Sequence, residues 1–112
     1  MVSRLLAKRY KERIIDKLHF FNSKFNLGTI NQVRLKNNST NWGSCSSKNN
    51  INVSVRLLLA PEFAVDYVLI HELCHLTHRN HSKQFWDLVA VCSPQYMKAE
   101  KWLKKNSSSC II

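Results

Sequence analysis

The chain has 112 residues, 45% of them apolar, with three Trp and a formal charge of +10. That length suits a single domain spanning 1–112, and that apolar content excludes a disordered tail. No apolar run is long enough to cross a bilayer, and the start, "MVSRLLAKRYKERIIDKL", lacks the apolar centre of a secretion signal, so a cytoplasmic protein with no membrane partner is expected.

Residues 3–24 predict an amphipathic helix. Leu6, Tyr10, Ile14, Leu18 and Phe21 recur at three- and four-residue spacing, while Lys8, Arg9, Lys11 and Glu12 lie off that stripe. His19 on this helix is expected to be structural or solvated. "FNLGT" breaks the helix at Gly28, and "INQVRLKN" alternates as a half-buried strand. "NSTNWGSCSSKNNINVSVRL" reads as a hairpin with its turn at "SSKNN", and Gly43 in its first arm suggests a bulge or a close backbone approach. Pro61 and Glu62 mark a helix start, and that helix is expected to run through "FAVDYVLIHELCHLTH". A further helix begins near Ser82, and Pro94 opens the last. One helix, three short strands expected to pair as an antiparallel sheet, and three helices make an α+β domain.

Cys45, Cys74, Cys92 and Cys110 show no C-x-x-C pairing and read as small buried thiols rather than a disulfide framework. Cys110 differs, because it sits in the polar tail "NSSSCII", where a thiol could reach a nearby metal and hold an enzyme latent. The basic excess gathers at the two ends. Residues 1–24 carry seven basic and two acidic side chains, and "MKAEKWLKKN" carries four and one. Such a surface suits nucleic acid or another polyanion, and equally a solubilising face.

The stretch "VLIHELCHLTHRNHSKQFW" places four of the five histidines in eleven positions. His71, Glu72 and His75 form H-E-x-x-H. At about 100° per residue His71 and His75 lie ~40° apart on a helix, so both imidazoles can grip one ion. Glu72 lies beside them, able to reach a metal-bound water without binding the metal, while Val65, Leu69, Leu73 and Leu76 occupy a separate core face. Catalytic zinc needs a third ligand and an open fourth position. His78 shares the helix face but lies about 10 Å of rise from His71. His81 is better placed, because "RN" can end the helix and Ser82 can cap the next, bending His81 back towards the ion.

The segments "WGSCSSKNNI", "LLLAP", "DYVLIHELCHL" and "NHSKQFW", in this order across residues 41–103, resemble the catalytic core of the YgjP-like metallopeptidases. That group is related to the SprT-like and WLM zinc proteases and is similar to the minimal soluble zincins called minigluzincins. The resemblance implies a minimal zincin-like domain, with His71, His75 and His81 as ligands of Zn2+ and Glu72 as the catalytic glutamate. It also implies that "INVSVRL" lies along the cleft, where its alternation fits an edge strand able to pair with an extended peptide. Asn41 stands where the family commonly has Arg before "WGSC", and one basic helix stands where longer members carry a β-rich region.

A zinc-dependent peptidase is therefore expected, acting on a peptide or protein. Three neutral imidazoles leave the ion able to bring its bound water to a pKa near ~7. Glu72 would take that proton and deliver it to the leaving amine. Tyr96 and Arg56 are candidates for a second oxyanion donor. A zinc-dependent hydrolase of nucleotides or other phosphoanhydrides is the alternative, although no Gly-rich phosphate loop supports it. A DNA-binding module with structural zinc, or a DNA-stimulated protease, is a third reading, with phosphates tracked by the basic helices.

Overall fold

Helix α1 (Arg4–Phe25) buries Tyr10, Ile14 and Leu18, three residues four apart and so on one face, and leaves Leu5 and Leu6 exposed. The computed structural model describes residues 4–37 and 41–106, so Cys110 and its tail lie outside the described residues. The helix stops at Asn26, whose φ of 53° is a left-handed conformation that Asn tolerates. Asn22 secures the exit, accepting from the Leu27 amide and donating to the Gly28 carbonyl.

Three strands follow, β1 (Gln32–Lys36), β2 (Gly43–Cys45) and β3 (Asn50–Ser54), in the spatial order β1-β3-β2. The expected antiparallel sheet is mixed instead. β2 and β3 form the expected antiparallel hairpin, with Ser44 opposite Asn52 and the turn closed at Asn49 (φ 63°), but β1 runs parallel to β3. The expected edge strand is likewise corrected: β3 is central, and β2 is the edge next to the cleft. The difference lies in Asn50 and Ser54, polar residues that are nonetheless buried. Asn50 accepts from Asn31 Nδ2, and Ser54 Oγ accepts from the Arg56 amide, so neither is left unsatisfied. That Ser54 bond also ends the strand and starts a 3₁₀ helix over Val55–Leu59, in place of the strand continuing to Leu57.

Helix α2 (Glu62–Cys74) is the centre of the molecule. Ala64, Val65 and every residue from Tyr67 to Cys74 are buried. It packs against α1, against the sheet through β2 and β3, and against α3 (Lys83–Cys92) and α4 (Tyr96–Lys105). Lys17 to Asp66 at 2.7 Å and Arg13 to Glu62 at 2.9 Å tie α1 across its start. The helix is shorter than its expected extent to residue 78, ending at Cys74 with a turn through Thr77. Thr77 Oγ1 donates to the Leu27 carbonyl at 2.6 Å, holding this turn against the α1–β1 connection. No helix among the described residues is long and apolar enough to cross a membrane.

Gly28 lies at that junction with φ 154°, and a Cβ there would sit 2.7 Å from Leu76 Cβ. Gly28→Ala should therefore lower the thermal midpoint by on the order of 5–10 °C, from a backbone and overpacking cost of about 1–3 kcal/mol. A calorimetric midpoint within a degree of the parent would mean that the junction yields freely.

Candidate metal centre

His71 and Glu72 come from the last turn of α2, and His75 is the residue that caps it, still with helical dihedrals (φ −68°, ψ −17°). The phase of the helix therefore carries through His75 although its regular hydrogen bonding has ended. Ser82 caps α3 by accepting from the Phe85 amide, which starts a new helix directly after His81. The chain between these caps turns back, and His71, His75 and His81 bring one ring nitrogen each to within 4.8 Å of the others.

The closest approaches are between Nε2 atoms: 3.1 Å for His75 and His81, and 3.3 Å for His71 and His81. Tetrahedral ligands at the usual zinc–nitrogen distance lie about 3.3 Å from each other, so this donor set fits one such ion. His75 Nδ1 lies 3.0 Å from the His78 carbonyl, which can only accept. That bond puts the ring proton on Nδ1 and leaves Nε2 with a free lone pair. His78 thus meets the site through its backbone, while its side chain is outside the cluster. His19 is exposed on α1, away from it.

Aromatic rings hold the imidazoles in place, a feature that His spacing alone does not reveal. Phe85 is fully buried and stacks on His75 at 4.4 Å, with His71 and His81 ring centres 5.0 and 4.9 Å away. Trp86 stacks on His81 at 5.7 Å. Burial, with the neighbouring His75 and His81, pushes the pKa of His71 down to about 3, so its imidazole is neutral, the form that binds a cation. Burial pushes the Glu72 carboxyl up to about 8.

The cleft in front of these groups, about 270 Å³, is lined by the three histidines, Glu72, Arg79 and the strand Gly43–Cys45. Gly43 is what allows β2 so close: a Cβ there would lie 3.1 Å from Val68 Cγ1 and 3.3 Å from Glu72 Cγ. Arg79 reaches across to the β2–β3 turn, donating to the Ser46 carbonyl at 2.9 Å and to Asn49 Oδ1. Cys45, expected as a buried thiol, is only half buried and faces this cleft, whereas Cys74 and Cys92 are buried. Tyr96 and Arg56 do not line it; Tyr96 packs on Trp86, and the Arg56 guanidinium lies 4.4 Å from the Trp42 ring.

Residues 1–106 match the family described as YgjP-like, metallopeptidase domain. The UTP pyrophosphatase of Escherichia coli (strain K12) is 34% identical over 86 residues, which are 76% of this chain and 47% of that protein. The chain thus spans about half the length of that relative. The fold is similar to that of the metallopeptidase zymogen of Pyrococcus abyssi abylysin, with a TM-score of 0.75 and 23% identity over 88% of this chain and 99% of that one.

Zinc at about 100 times its Kd should stabilise the metal-free protein by about 2.7 kcal/mol, read as a rise in thermal midpoint. His81→Ala should lose most of that rise. An equal rise in the variant would remove His81 from the ligand set.

Proposed function

From the premise that the chain belongs to the YgjP-like metallopeptidase-domain family, we propose that it is a zinc-dependent peptidase. His71, His75 and His81 would hold the ion and Glu72 would serve as general base. The observation that carries this reading is the convergence of three Nε2 atoms beside a buried carboxylate, at the floor of an open cleft. When bound, zinc supplies Lewis acidity, polarising a carbonyl and acidifying water.

The protein groups account for the remaining steps. Glu72 is buried, a setting that suits a group which must take a proton and give it back. It would accept the proton of the attacking water and return it to the leaving amine. β2 is an edge strand and lines the cleft, so an extended peptide could add to it as a further strand. Gly43 lets β2 lie close against Glu72. Phe85 and Trp86 pack against the faces of the imidazoles.

Arg79 favours a second reading. Its guanidinium sits in the cleft on two neutral acceptors, and a relative at 34% identity is named UTP pyrophosphatase. Hydrolysis of a nucleoside triphosphate would use the same floor, with Arg79 facing the phosphates. The basic residues of α1 and α4 could add nucleic-acid binding, which would fall steeply with salt.

Zinc-loaded protein should cleave casein, and Glu72→Gln should lose on the order of 10²–10⁴-fold in turnover while retaining zinc. Near-normal turnover in the variant would sink the proposed base. Pyrophosphate release from UTP without casein cleavage would favour the nucleotide reading.

A further inference from the structure

We propose that Tyr67 and Glu100 form a hydrogen-bond relay that fixes His71 as a metal ligand. The inference rests on the metal-site reading above and adds two positioning residues to it. Tyr67 lies four residues before His71 on α2, so the two side chains meet on one helix face. Its hydroxyl is 3.0 Å from His71 Nδ1 and donates to Glu100 Oε2 on α4 at 3.2 Å. The two rings meet edge to face at 5.6 Å.

The direction of the relay follows from counting protons. A phenol has one, and the carboxylate that receives it can only accept. The Tyr67 oxygen is then left with lone pairs alone for His71, so Nδ1 must be the donor. An imidazole protonated at Nδ1 carries its free lone pair on Nε2, the atom 3.3 Å from His81 Nε2. His75 reaches the same tautomer through the His78 carbonyl. Two of the three imidazoles therefore have their proton held away from the shared centre by partners on the far side.

The phenol oxygen is an expensive choice for packing alone. Tyr67 is 1% exposed, and phenylalanine would fill nearly the same volume without a buried polar atom. A carboxylate behind a ligating histidine also raises the basicity of the ring, and losing such a partner commonly weakens metal binding by roughly 10- to 100-fold. Here the carboxylate acts through a tyrosine, and it belongs to α4. The last helix thereby becomes part of the metal centre without contributing a ligand.

Three variants test this: Tyr67→Phe, Glu100→Ala and Glu100→Gln. Each would be read by zinc affinity in competition with a chromophoric chelator, by the thermal midpoint of the metal-free protein, and by the His71 tautomer in long-range ¹H–¹⁵N spectra without metal. Wild type should show the proton on Nδ1. Tyr67→Phe and Glu100→Ala should weaken zinc by roughly 10- to 100-fold and mix the tautomers, beyond what any change in midpoint explains. Glu100→Gln, whose amide oxygen still accepts, should keep the tautomer and recover much of the affinity. Should Tyr67→Phe not fold, the variants of half-exposed Glu100 decide the matter. Zinc affinity within twofold of wild type in Glu100→Ala, or a wild-type His71 protonated on Nε2, would overturn the relay. A wild type that takes up no zinc although His71 is protonated on Nδ1 would instead overturn the metal reading, and with it the relay's purpose.

Discussion

Helix α2 has to be the centre of the apolar core and the floor of a polar cleft at once, and the rest of the structure is arranged around that conflict. His71 and Glu72 are 1% and 3% exposed, as deeply placed as the leucines beside them. A polar group at that depth is costly unless something partners it. Tyr67 and the His78 carbonyl meet the rear nitrogens of two imidazoles, and Phe85 and Trp86 pack against the ring faces. Glu72 is treated differently: burial raises its pKa, and no charge among the described residues lowers it again. A cation held in front of the histidines would reverse that balance, since an opposite charge nearby favours the carboxylate.

The open side of the cleft depends on how closely β2 can approach. Gly43 brings the strand against Val68 and Glu72, and the central position of β3 leaves β2 as an edge strand that lines the cleft with the histidines. Arg79 then pins the β2–β3 turn to the segment that follows α2. The clustered histidines and the strand that borders them are thus joined at both ends: through packing at Gly43 and through hydrogen bonds at Ser46 and Asn49. A displacement of the turn would be felt at the cleft, because the same short segment leads from Arg79 to His81.

Much of this was legible in the sequence wherever the governing interaction is local. The four-residue stripe of α1 follows from helix geometry, as does the shared face of His71 and His75, and the Ser82 cap follows from local backbone chemistry. The β2–β3 hairpin is local too. The partner of β1 is not: alternation in Gln32–Lys36 says which residues share a face but nothing of the direction of a strand some eighteen residues away, so the parallel pairing with β3 does not follow from it. Asn50 and Ser54 concealed the central place of β3, since polar residues in an alternating run read as solvent-facing unless their partners are known. Tyr67 and Glu100 were hidden for a similar reason, being thirty-three positions apart.

On the proposed reading, the floor of the cleft does not choose the substrate. A metal held by three imidazoles with a carboxylate beside it can serve hydrolysis of an amide or of a phosphoanhydride, because both need an activated water and a stabilised oxyanion. Selection then falls to the walls. An extended peptide gains from the backbone of Gly43–Cys45, which offers directional hydrogen bonds along an edge and carries no charge. A triphosphate gains little from that edge and much from Arg79, whose two present acceptors, a carbonyl and an amide oxygen, leave its positive charge uncancelled. Strand and guanidinium occupy the same cleft, so the preference between the two substrate classes is a balance between neighbouring groups rather than a property of the metal centre. It can shift while His71, His75, His81 and Glu72 remain unchanged, which is how one minimal scaffold can keep a single centre across different chemistries.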